Sequence, residues 1–121
     1  MIIKNKNVIL CGLLTLFAST SKLQAAEYID PAAGFAACSA FYIYLSHTYP
    51  SGSRANFAAL SGARQFLTIG YTYNKNLDDD IRPVLNNLES NEKRIGLAAN
   101  QEKVFKAVMN CEKWGKQYGV K

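Results

Sequence analysis

Asp30-Pro31-Ala32-Ala33-Gly34-Phe35-Ala36-Ala37-Cys38-Ser39-Ala40-Phe41-Tyr42-Ile43-Tyr44-Leu45-Ser46 is the stretch of this 121-residue chain from which the fold class is read. An acidic N-cap followed by proline at the first helical position is a helix start. Behind it Phe35, Cys38, Phe41, Tyr42 and Leu45 recur at steps of three and four, which predicts a helix to about Ser46 with one apolar face. Tyr44 falls off that face.

Three more helices are read downstream. Tyr49-Pro50-Ser51-Gly52-Ser53 is a turn, and Ser53 is placed to cap a second helix. Phe57, Leu60, Ala63 and Leu67 give that helix its stripe, with Phe66, Ile69 and Tyr73 beside it. Leu67 to Tyr73 also alternates like a strand, but no second strand-like run exists to pair with it, so helix is expected. Asp78, Asp79 and Asp80 crowd the start of a third helix, where negative charge suits the helix dipole. Pro83 is tolerable only in its first turn, and Ile81, Val84, Leu85, Leu88 and Ile95 form its apolar side. Asn100 is read as the cap of a fourth helix with Val104, Val108 and Cys111 on one face and Phe105, Met109 and Trp114 adjoining.

The first 26 residues read as an address. Lys4 and Lys6 precede an apolar run from Val8 to Ala18, then a polar stretch and Ala25–Ala26, the layout of a secretory signal peptide. The run is shorter than the roughly 20 residues needed to span a bilayer, so no stable membrane insertion is expected once it is removed. Val8, Ile9 and Leu10 before Cys11 are not the small residues that precede a lipid-modified cysteine. Cleavage is expected after Ala25 or Ala26, and residues 27–121 are expected to form a single domain. Cleavage takes three of the 14 basic residues and leaves 11 against nine acids, lowering the net charge from +5 to +2. With no clustered basic face, nucleic acid is not an expected partner.

Export leaves Cys38 and Cys111, which in an oxidising compartment most simply form one disulfide. The bridge would close about 73 residues and contribute roughly 4 kcal/mol on the chain-entropy model. It would make the first and last helices neighbours in an all-α bundle of about four helices.

The chemistry-bearing residues are sparse. His47 is the only histidine, which removes multi-histidine metal sites and leaves a triad without its parts. At the end of the first helix it reads as a cation at the negative pole. Asn74, Asn76, Asp78 and Asp80 imitate a calcium loop, but its sixth and twelfth places would hold Asp79 and Leu85 where glycine and glutamate are required. No metal or other cofactor is expected. The acids Glu27, Asp30, Glu89, Glu92, Glu102 and Glu112 lie on solvated helix faces or at caps, and no enzyme activity is expected. A chain that is 49% hydrophobic and 19% charged is nonetheless a folded domain, and its tyrosines suit an interface.

Ala36-Ala37-Cys38-Ser39-Ala40 and Met109-Asn110-Cys111-Glu112-Lys113-Trp114, each on a helix of an exported chain, resemble the layout of small periplasmic helical proteins with one disulfide. Two such groups are the immunity proteins that neutralise type VI secretion amidases and the acid-activated periplasmic chaperones; the latter are richer in charge and poorer in aromatics. The resemblance lies in the arrangement of signal, four helices and two cysteines, and it transfers no site residue. Because the exported domain lacks a nucleophile–base set, a metal site, a phosphate loop and a basic face, a non-enzymatic periplasmic binding protein that inhibits another envelope protein is expected, with a stress chaperone as the alternative. The expected partner is another exported protein, and a homodimer is a further possibility. Its docking patch is expected at Tyr44, Tyr49 and Arg54, around a flexible Ser51-Gly52-Ser53 tip, because tyrosine and arginine are common interface anchors. Tyr71 and Tyr73 stand at the far end of the second helix, and at about 1.5 Å per residue Tyr73 lies nearly 30 Å from Arg54, too far to share one compact patch.

Overall fold

A computed structural model describes residues 30–121. The expected signal segment 1–26 and its expected cleavage site lie outside the described residues. Four helices follow one another: α1 (Pro31–Thr48), α2 (Arg54–Tyr73), α3 (Leu77–Ile95) and α4 (Leu97–Lys116). The described residues contain no strand, and Leu67–Tyr73 is the end of α2.

The start of α1 is as its sequence dictates. Pro31 stands at the first helical position, and the Asp30 side chain accepts from the Ala32 N–H at 3.0 Å. Its packing is not. The sequence predicts one apolar face, whereas every residue from Gly34 to Ser46 except half-buried Ile43 is buried. All three other helices pack against α1, so it is the axis of the bundle. A helix with no polar side that water requires is a buried helix. Alanines at 36, 37 and 40 let neighbours close on the sides that lack large residues.

The α1–α2 contact depends on small residues. A side-chain carbon added to Gly62 would lie 2.3 Å from Cε1 of Tyr42, and one added to Gly70 would lie 3.1 Å from Cβ of Phe35. With Ala59, Ala63 and Phe66, these glycines make the buried side of α2. This corrects the expected stripe: Phe57 and Leu60 face solvent. Large rings from α1 need the recess that small residues leave, and the helix is turned accordingly.

The third helix begins earlier than its acidic cluster suggested. Leu77 is fully buried, and with Ile81, Val84 and Leu88 it forms the inward stripe. Pro83 therefore lies in the second turn rather than the first. An interior proline costs about 3 kcal/mol; burial of four apolar side chains, about 1.5–3 kcal/mol each, outweighs it. Gly96, at φ 97°, turns the chain straight into α4. Asn100 is not the cap of α4, because the helix starts at Leu97 and the Asn100 side chain is fully buried.

Cys38 and Cys111 are bonded, with Cα atoms 5.8 Å apart, and clamp α1 to α4. Below the clamp Phe35 meets Trp114 edge-on with ring centroids 4.9 Å apart, stacks on Tyr73 at 5.3 Å and faces Tyr118 at 5.7 Å. These rings join α1, α2, α4 and the C-terminal turn in one cluster.

Candidate functional site

The three residues expected to anchor a partner are placed differently from one another. Tyr44 is only 3% exposed, which corrects the reading that it projects off the core. Tyr49 is half-buried against the core, and Arg54 is exposed at the first position of α2. The loop before it is held in place. Asn56 donates through Nδ2 to the Ser46 carbonyl at 2.7 Å and accepts the Gly52 N–H at 3.2 Å, while its own N–H reaches Ser53 Oγ at 3.1 Å. Truncating Tyr44 therefore acts on the core, and the trio does not offer three exposed anchors.

Tyr44 belongs to a buried polar network between α1, α3 and α4. Asn100 donates through Nδ2 to the Tyr44 hydroxyl at 2.8 Å and to the Leu88 carbonyl at 3.0 Å. Its Oδ1 accepts from Asn91 Nδ2 at 2.8 Å, and Asn91 in turn accepts from Arg94. The Tyr44 hydroxyl donates onward to Glu92 at 2.6 Å. Burial, then the Glu92 hydrogen bond, pushes this phenol up to about 12. The Tyr44 phenol is therefore neutral at physiological pH. The role of the network is to join three helices.

Of the residues that imitated a calcium loop, Asn74, Asp78 and Asp80 use side-chain oxygens in hydrogen bonds around the α2–α3 connector. Asn74 donates to Asp80 at 2.9 Å and to the Ala32 carbonyl at 3.3 Å, and its Oδ1 accepts the Asn76 N–H at 2.9 Å. The connector is thereby tied to the start of α1. His47 is exposed in the last turn of α1, where its position suits the helix dipole.

Of the stripe expected to face inward, Phe57 and Leu60 are exposed, Leu67 is half-buried and Ala63 is buried. Along α2, Phe57, Leu60, Arg64, Leu67 and Tyr71 follow at steps of three and four, so they share one side of the helix. Phe57 is 63% exposed, Leu60 40% and Tyr71 46%; Arg64 is exposed and Leu67 half-buried. Tyr71 is fixed at the far end by its hydroxyl, which donates to Asp78 at 2.5 Å. On α4, Phe105 and Met109 form a shorter exposed pair. Exposed large apolar side chains that share one helix face are candidates for an interaction site. The signal for the α2 stripe was present in the sequence as spacing, but spacing alone does not say which of two candidate faces is buried.

No protein-family model matches the chain, and no curated protein or solved structure shows significant similarity to it. Among the described residues no helix is long and apolar enough to cross a membrane.

Proposed function

We propose that this chain is an exported, non-enzymatic binding protein of the bacterial periplasm, an inhibitor of the immunity type that holds one partner protein. The observation that carries this reading is the exposed apolar stripe of α2, on a helix whose other side is locked to the core. A rigid helix presenting Phe57, Leu60 and Tyr71 loses little conformational entropy when a partner covers it, which favours tight one-to-one association. The sequence layout of an N-terminal signal followed by a disulfide-clamped domain supports export, and the bridge suits an oxidising compartment.

The experiment is affinity capture from periplasmic extract with the disulfide-bonded chain at neutral and acid pH, followed by mass spectrometry. One stoichiometric partner at neutral pH is the expected result. A broad client list that appears only in acid overturns inhibition in favour of a chaperone. Turnover of cell-wall or lipid substrates, lost when one carboxylate becomes alanine, overturns the non-enzymatic reading.

A further inference from the structure

The outward stripe of α2 carries a specific charge pattern. Arg64 stands at its middle, between Phe57 and Leu60 on one side and Leu67 and Tyr71 on the other, and the stripe runs about 21 Å. Helix α2 contains Arg54 and Arg64 and no acidic residue. Among the described residues Arg64 enters no ion pair. Acids gather beyond the other end, where Asp78 holds Tyr71 and Asp79 and Asp80 follow.

We propose that the partner lays an amphipathic α-helix along this stripe, with apolar residues on Phe57, Leu60, Leu67 and Tyr71 and a carboxylate against Arg64. The inference rests on the binding reading above and names the chemistry of the partner. Steps of three and four are the spacing by which one helix meets another. A guanidinium in the middle of an apolar seam needs an opposing carboxylate once water is excluded.

The same pattern disfavours two other occupants. A second copy pairing through this stripe by a two-fold axis, parallel or antiparallel, sets Arg64 against Arg64 at the centre of the seam. A flat anionic membrane meeting the length of the stripe would also meet the acids at its Tyr71 end. A helix of opposite polarity can match both signs, with its acids toward Arg54 and Arg64 and its bases toward Asp78.

Two synthetic helical peptides of about 18 residues, long enough to span the stripe, test the proposal. Both carry leucines at steps of three and four; the central position is Glu in one and Lys in the other. Titrated at low salt against the disulfide-bonded chain, with binding read by fluorescence anisotropy, the Glu peptide should bind at least tenfold more tightly. R64E should invert that preference. The double substitution Phe57→Ser, Leu60→Ser should weaken both peptides more than tenfold and leave the melting temperature within a few degrees, because both side chains are exposed.

Equal affinity for the two peptides, or a preference untouched by R64E, overturns the proposal. So does a dimer in sedimentation that Phe57→Ser, Leu60→Ser dissolves, or tighter binding to phosphatidylglycerol vesicles than to the Glu peptide. A single partner captured from extract whose binding ignores R64E and the serine pair overturns this inference and leaves the inhibitor reading standing. If the Glu peptide binds as described while extract yields no partner, the inhibitor reading fails instead.

Discussion

The Asn100 side-chain amide donates to the Tyr44 hydroxyl across 2.8 Å of the bundle interior, joining the fourth helix to the first. Both groups are buried; the hydroxyl makes one further hydrogen bond, to Glu92, and the amide two, with Leu88 and Asn91. Neither can lose its partner without leaving a polar atom in a dry place. Tyr44→Phe should therefore destabilise the fold by about 1–3 kcal/mol, mostly through the stranded Asn100 donor. Asn100→Ala should cost at least as much, since it also strands Asn91. In the double variant the losses should fall short of their sum, because the two residues share one bond. Urea denaturation of the four proteins measures this, and strict additivity would show that the bond contributes nothing.

Gly62 is required by the ring of Tyr42. In an ordinary helix Gly→Ala stabilises by up to about 1 kcal/mol. Here the new methyl would sit 2.3 Å from Tyr42 Cε1, and overpacking of this kind costs about 1–3 kcal/mol. Gly62→Ala is expected to lower the melting temperature, and Tyr42→Leu in the same chain to restore part of the loss. A rise in melting temperature on Gly62→Ala alone would show that α1 and α2 do not approach so closely.

Ser39 is fully buried in α1, and among the described residues its hydroxyl has no hydrogen-bond partner. Ser39→Ala removes a desolvated polar atom and improves helix propensity. It should raise stability by roughly 1 kcal/mol, visible as a higher denaturation midpoint at unchanged slope. A lower midpoint would mean that the hydroxyl is bonded in solution.

Alkali should unfold the protein through its buried phenols. A tyrosine titrates near 10 when unfolded, whereas Tyr44 is pushed up to about 12 by burial and Glu92. Tyr42 is raised as well, by burial first and then by Glu112. A raised value in the folded state means stability that is intact below pH of about 10 and lost as pH climbs toward 12. Melting temperature followed from neutral pH upward should hold level and then fall across that interval. The fall should be shallower in Tyr44→Phe, and an equal slope would exclude Tyr44 as a contributor.

The Cys38–Cys111 bridge closes 73 residues of chain. Replacing both cysteines with alanine should cost about 4 kcal/mol on the chain-entropy model, close to the whole net stability of a domain this size. Both cysteines are buried, so the native protein should resist thiol labelling until it is reduced and unfolded. Intact mass with and without reductant checks the bond, and two free thiols in the native state would refute it.

Helix positions were legible in the sequence because they depend on local chemistry. Asp30 and Pro31 open α1, Ser53 caps α2, and the pairing of Cys38 with Cys111 followed once Cys11 was set aside with the expected signal segment. Even the centrality of α1 had a local trace, since no charged residue lies between Asp30 and His47. The inward places of Asn91 and Asn100 had one too, because each continues an apolar stripe of its helix. Local chemistry does not say which side of a helix meets another helix. On α2 two faces were available, one of large residues (Phe57, Leu60, Leu67) and one of small ones (Ala59, Gly62, Ala63, Gly70). Hydrophobicity favours burying the first. The tertiary structure buries the second, because the rings of Phe35 and Tyr42 need recesses and close approach of two helices requires small residues where they touch. That choice turned Phe57, Leu60 and Arg64 out to solvent, while the packing of α3 and α4 on α1 brought Tyr44 to Glu92 and Asn100. The elements were determined by residues within a few positions of one another; the surface offered to a partner was decided by side chains from different helices that share no sequence neighbourhood.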